Sequence, residues 1–242
     1  MNLSEFTNEC MSAFSANGLP CSASQAEKLY ILTEHMLSVN KSMNLTAITD
    51  EKAVILRHYV DSLTISQYIP EGARLIDVGC GAGFPSLPLA IFRPDLSITA
   101  LDSTAKRIRY VEETASILGL NNLTAIAARA EEYAHKPEFR EEFDIATARA
   151  VANLSVLCEL CLPYVKLGGK MIAMKSKQAS DELNAAKNCI SLCGGKTTAV
   201  ISRNLISDMS DSGERNLVII EKHMKCPNIY PRHFSKISKK PL

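Results

Sequence analysis

Nowhere in the 242-residue chain does an apolar run approach the roughly 20 residues that span a bilayer, so a membrane protein is not expected. Its start, MNLSEFTNEC, carries two acids and no basic stretch, which speaks against a secretory leader. The eight cysteines form no paired C-x-x-C motifs, so neither a zinc ribbon nor a disulfide framework is indicated, and the expected compartment is the cytoplasm. Cys158 with Cys161 and Cys189 with Cys193 have helical spacing and read as small buried apolar residues. No internal repeat and no low-complexity segment appears. A formal net charge of +1 announces no polyanionic partner.

What is present is a globular composition, 46% apolar and 22% charged, enough for one sizeable core with an appendage. Charge is uneven along it. Residues 1–70 hold seven acids against four bases, whereas residues 223–242 hold Lys225, Arg232, Lys236, Lys239 and Lys240 and no acid. A basic end on a neutral protein reads either as a nucleic-acid arm or as a solvated tail.

The order of elements divides the chain at about residue 70. Residues 1–69 follow a helical pattern, with Leu29, Leu32, Met36 and Leu37 on one face, and form an N-terminal helical extension. Ser4 and Ser22 or Ser24 are candidate caps, and Asn17-Gly18-Leu19-Pro20 separates the first two helices. Arg57 and Asp61, four apart on a later helix, are placed to pair. Residues 70–242 alternate strands and helices, the pattern of a mostly parallel sheet covered on both sides. Strands are expected near Arg74–Val78, Ser97–Leu101, Leu123–Ala127, Phe143–Thr147, Gly169–Lys175, Lys196–Ser202 and Asn216–Lys222. Helices are expected over Ser86–Phe92, Thr104–Leu118, Glu131–His135, Leu154–Leu162 and Ser180–Cys189.

The stretch LIDVGCGAGFPSLPLA, residues 75–90, stands out within this pattern. It reads as a buried strand ending in Asp77, a turn with Gly79, Gly81 and Gly83, and a helix start, which together make a nucleotide-type binding turn. A dinucleotide fingerprint wants glycine where Phe84 stands. The D-x-G-x-G-x-G form resembles instead the first motif of class I S-adenosylmethionine methyltransferases. Asp102, closing the next strand, suits the two ribose hydroxyls under either reading. Ligands in such folds sit beyond the carboxyl ends of the strands, which places Asp77, Asp102, the 128–132 turn and Arg149 at one rim.

With these pieces assembled, the chain resembles the bacterial 16S ribosomal RNA guanine-N7 methyltransferase family known as RsmG or glucose-inhibited division protein B. The matching residues are Asn44-Leu45-Thr46, Arg57-His58 with Asp61-Ser62, the glycine turn with Phe84-Pro85, Asp102-Ser103 with Lys106-Arg107, ARAEE at 128–132, FDIATARAVA at 143–152, and Tyr230-Pro231-Arg232. The tail departs from the family pattern at Ser235 and Ile237, where glycine and proline are usual. The resemblance implies a class I S-adenosylmethionine methyltransferase fold: α/β, Rossmann-like, with a mostly parallel seven-stranded sheet and the N-terminal helical extension.

It also implies S-adenosyl-L-methionine as cofactor, contacted by Gly79, Phe84, Ala130, Glu131 and Arg149, with Asp77 and Asp102 added from the strand-end positions. The implied substrate is 16S ribosomal RNA, free or in the 30S subunit, at the loop around nucleotide 527; the protein is expected to be a monomer. His58, Lys175 and Arg215 are candidates for guiding the RNA or the target base, and Arg232, Lys239 and Lys240 for gripping its phosphates. Guanine N7 attacks with a free lone pair, so no catalytic base is assigned, nor any metal ligand set. Competing readings are a methyltransferase of a small molecule or protein, an NAD-dependent oxidoreductase, and a non-enzymatic cofactor sensor.

Overall fold

The structure, a computed structural model, describes residues 1–149, 152–175, 179–207 and 213–242; positions 150 and 151 of the 143–152 motif lie outside the described residues. Two helices open the chain, α1 (Leu3–Ala16) and α2 (Ala23–Met43), each begun by a capping box. Ser22 caps α2 as the sequence suggests. For α1 the cap is Asn2 and not Ser4: the Asn2 carboxamide oxygen accepts from the Glu5 N–H at 3.0 Å while the Glu5 carboxylate returns to the Asn2 N–H at 2.9 Å. The next helical segment changes pitch along its length. α3 (Glu51–Val54) passes into a π-helical stretch over Ile55–Val60 and then into α4 (Asp61–Leu63). π-Helical turns are rare and concentrate at functional sites, and this one carries Arg57 and His58.

Strands and helices then alternate: β1 (Arg74–Val78), α5 (Ser86–Phe92), β2 (Ser97–Asp102), α6 (Ala105–Ile117), β3 (Leu123–Ala127), α7 (Ala130–Tyr133), β4 (Phe143–Arg149), α8 (Leu154–Cys161), β5 (Val165–Lys175), α9 (Ala179–Leu192), β6 (Gly195–Asn204), β7 (Glu214–Lys222) and α10 (Phe234–Lys239). The seven strands form one sheet in the order β3-β2-β1-β4-β5-β7-β6. The first five are parallel, and β7 runs antiparallel to both β5 and β6. Between β1 and β4 the direction of winding reverses, which opens a crevice at their carboxyl ends.

Each face of the sheet has its own core. On one side Phe6, Leu29, Met36 and Tyr59 of the N-terminal helices share a cluster with Leu75, Leu87 and Tyr110. The other side packs Leu157, Cys158, Cys161 and Ile190 of α8 and α9 against Ile220, and takes in Tyr230 and Ile237 of the tail. Cys189 and Cys193 are buried there too, so all four helically spaced cysteines fill apolar space. At the tail, Ser235 and Ile237 permit the short helix α10, whose Ile237 is fully buried.

The tail is fastened by charge as well. Glu159 is fully buried in the largely apolar α8, and Arg232 meets it with its backbone N–H at 2.9 Å, Nε at 2.8 Å and a terminal nitrogen at 2.7 Å. Arg232 is therefore not a free phosphate anchor, as the sequence suggested; it closes a structural ion pair. Arg232→Ala leaves an uncompensated buried carboxylate and is expected to cost about 3–5 kcal/mol in urea unfolding at neutral pH. Arg232→Lys should rescue little of it, because an ammonium cannot reproduce the fork.

Candidate active site

At the carboxyl ends of β1, β2, β3 and β4 lies a cavity of about 470 Å³, within the range of cofactor sites. Its floor is the glycine turn. The N–H groups of Gly79 and Cys80 both donate to the Leu101 carbonyl, at 2.7 and 3.0 Å, which ties the turn to β2. Gly81 has φ +58°, and a Cβ there would meet no atom within 4 Å, so the turn keeps an open approach to its main chain that a side chain would occupy.

The strand order sets the sequence of groups along the rim. Glu131, after β3, comes first. It is buried against the cavity, and its Oε1 has no hydrogen-bond partner among the described residues. The start of its helix is braced by the Tyr164 hydroxyl, which donates to the Ala130 carbonyl at 2.6 Å. Asp102 follows at the end of β2. Its carboxylate accepts from the Gly81 N–H at 3.1 Å and the Thr104 N–H at 2.8 Å, with an Arg107 guanidinium nitrogen 3.8 Å away. Each oxygen keeps a lone pair beyond these bonds.

Beyond the glycine turn the wall becomes aromatic and cationic. Phe84 lies under the His58 ring, centroids 4.5 Å apart and planes 10° from parallel, and the Arg149 guanidinium stands 5.2 Å from the Phe84 centroid. Arg149 donates to the Arg57 carbonyl at 2.9 Å, to Asp61 Oδ2 at 3.1 Å and to His58 Nδ1 at 3.2 Å. Burial, and secondarily the charge of Arg149, push the His58 imidazole down to about 3, so it is neutral across the physiological range.

Several sequence-based assignments move. Asp77 does not line the cavity: it is fully buried behind the turn, accepts the Ser86 hydroxyl, and leaves Oδ1 without a partner among the described residues. Lys175 is spent inside the protein, on the Ala152 carbonyl at 2.8 Å and Glu182 at 2.6 Å. Arg215 donates to Asp61 Oδ1 at 3.1 Å and is not in the cavity wall. Asp61, expected on one helix face with Arg57, is held by Arg149 and Arg215. His58 reaches the cavity but brings no charge to an RNA. Gly79, Phe84, Ala130, Glu131, Arg149 and Asp102 all line the cavity. Lys239 and Lys240 stand exposed on the tail.

Thr46 and Phe234 are among the wall residues that received no role from the sequence. Thr46 comes in from the loop after α2, and Phe234 from α10. Thr46 sits in the quoted Asn44-Leu45-Thr46 motif, and Phe234 is the one phenylalanine of the lysine-rich tail, which were the available signals.

This fold and rim define a methyltransferase of the class I, S-adenosylmethionine-dependent type. Among solved structures, a SAM dependent methyltransferase from Aquifex aeolicus superposes with TM-score 0.53 at 16% identity, covering 69% of this chain and 92% of that one. M. jannaschii TYW2 in complex with AdoMet gives TM-score 0.50 at 15% identity, covering 66% and 74%. The family model described as rRNA small subunit methyltransferase G matches residues 25–208. Relatives named ribosomal RNA small subunit methyltransferase G include one from an Exiguobacterium species, 42% identical over the full length of both chains, and one from Staphylococcus carnosus, 45% identical over 90% of this chain and 91% of its own. The chain belongs to the rRNA small subunit methyltransferase G family.

Burial holds Asp77 up at about 6, against an ordinary 3.8. Because the folded state keeps this proton more tightly than the unfolded one, stability contributed by the neutral carboxyl is lost as pH rises between those values. Asp77→Asn should remove that slope, so that the variant gains on the native protein by on the order of 2–3 kcal/mol from pH 4 to pH 7 in denaturant titrations.

Proposed function

We propose that this protein binds S-adenosyl-L-methionine in the rim cavity and methylates N7 of a guanine in 16S ribosomal RNA, at the loop around nucleotide 527. Family membership supports an rRNA substrate, and the residues along the rim suit the cofactor. Glu131 Oε1 is an acceptor for the adenine side, Asp102 offers its remaining lone pairs to the ribose hydroxyls, and the bare main chain at Gly79 and Gly81 leaves room beside them. Bound S-adenosyl-L-methionine supplies a methyl group made electrophilic by a positively charged sulfur.

The observation that carries the choice of N7 is the state of the ionisable groups at the β4 end of the cavity. Asp61 is committed to two arginines, and His58 accepts at Nδ1 from Arg149 and is bonded at Nε2 to Thr46. An acceptor that must first lose a proton finds no free base there among the described residues. N7 needs none, since its lone pair lies in the purine plane ready to attack. What the residues must do instead is hold the base in line, about 3 Å from the carbon it attacks. N7 of a paired guanine is hidden in the deep, narrow groove of an RNA helix, so the target base is one held in a loop or turned out.

The exposed cations Lys236 and Lys239 of α10, and Lys240 after it, belong to the same tail segment as Phe234, which lines the cavity, and suit phosphate contacts. Transfer of label from the methyl group of S-adenosyl-L-methionine to naked 16S RNA or intact 30S subunits, followed by nucleoside analysis, tests the reading. 7-Methylguanosine is the expected product, and label at another atom or in neither substrate contradicts it. Lys239→Ala with Lys240→Ala should weaken RNA binding and lower its salt slope by about 2, leaving cofactor affinity unchanged by calorimetry.

A further inference from the structure

Thr46 is held by more bonds than a loop residue requires. The Asn40 side chain brackets its backbone, Oδ1 accepting from the Thr46 N–H at 2.9 Å and Nδ2 donating to the Thr46 carbonyl at 3.0 Å. Its hydroxyl oxygen accepts from the Ile48 N–H at 3.0 Å and lies 2.9 Å from His58 Nε2. The direction of that last bond follows from Arg149. A guanidinium only donates, so His58 Nδ1 accepts from it, and the single proton of the neutral imidazole is on Nε2. Nε2–H therefore donates to Thr46. With both lone pairs of Oγ1 engaged, the one capacity left is its own O–H, a donor without a partner among the described residues and in the cavity wall.

Position along the rim says what this donor meets. A nucleoside with its adenine side at Glu131 and its ribose at Asp102 extends past the glycine turn toward Phe84, His58 and Thr46, so the methyl acceptor enters at the Thr46 end. The edge of guanine that presents N7 also presents O6, an acceptor; adenine presents an amino group, a donor, at the same place. N7 must stay unbonded to react. Resting on the guanine-N7 reading above, the geometry points to Thr46 as the residue that selects guanine, its O–H donating to O6 of the target base. Asp61, Arg149 and His58 act behind it as positioning residues that fix which way the hydroxyl hydrogen faces. Against adenine the same hydroxyl would confront a second donor, and a buried mismatch of that kind discriminates more strongly than a missing contact.

The test is a cycle between protein and base. Wild-type protein, Thr46→Val and Thr46→Ser are assayed for methyl transfer to 16S RNA, or 30S subunits rebuilt from it, carrying guanine or 2-aminopurine at the acceptor position; the analogue keeps N7 and lacks O6. Thr46→Val is expected to lower kcat/KM on guanine by about 10-fold or more and to change it little on 2-aminopurine, while Thr46→Ser stays within about threefold of wild type on both. Cofactor affinity by calorimetry should be the same for all three. Equal loss of Thr46→Val on both bases assigns the hydroxyl a structural role and overturns the inference; a fall in cofactor affinity assigns it to the cofactor and does the same. A wild-type protein that leaves N7 unmethylated overturns the parent reading, and this one with it. One that methylates N7 with an unchanged guanine to 2-aminopurine ratio in Thr46→Val overturns this inference alone.

Discussion

One buried carboxylate joins the parts that make the site. Asp61 lies in the helical segment before the sheet, and its two oxygens take Arg149 from the end of β4 and Arg215 from β7. Removing a carboxylate from water is costly, and only close cationic partners offset that cost. Here those partners come from two strands of the sheet, so satisfying one acid fixes the angle at which the N-terminal helices meet the rim. Arg149 then passes the constraint on. Its guanidinium stands over Phe84 and holds Nδ1 of His58, which stacks on the same ring and reaches Thr46 from its other nitrogen. An ion pair whose net worth in stability is small thus sets the shape of one end of the cavity.

The other end is built from the backbone. The glycine turn is tied to Leu101 through two N–H groups and to the Asp102 side chain through a third, so the β1 and β2 corners move as a unit. Acids near it divide by environment. Asp102 accepts two N–H bonds at the cavity wall, whereas Asp77, two residues before Gly79, is bonded by Ser86 and fully buried, which favours its neutral form. The same residue type faces the cavity in one place and packs behind the turn in the other.

The sheet, its winding and the rim were legible in the sequence because alternating apolar strands, Gly79, Gly81 and Gly83, and an acid at the end of β2 each state a local backbone requirement. The committed charges were not. Lys175, Arg215 and Arg232 look like free cations when only their own positions are known, and each is spent on an acid of another element: Glu182, Asp61 and Glu159. A partial signal existed for Arg232, since Glu159 in the apolar helix LSVLCELC has to find a cation if it is buried. Pairing between different elements decides these cases, and spacing along one element does not carry it. Thr46 was missed for a related reason: its importance lies in the direction of a hydrogen bond that depends on Arg149, about a hundred positions later.

All of this turns on which way a cofactor lies along the rim. A structure of the protein with S-adenosyl-L-methionine bound measures that directly. The adenine is predicted beside Glu131, the ribose hydroxyls on Asp102, and the sulfonium past the glycine turn toward Phe84 and Thr46. Density for the cofactor in the reverse orientation, or outside the cavity with the turn filled by the protein's own side chains, would contradict the account.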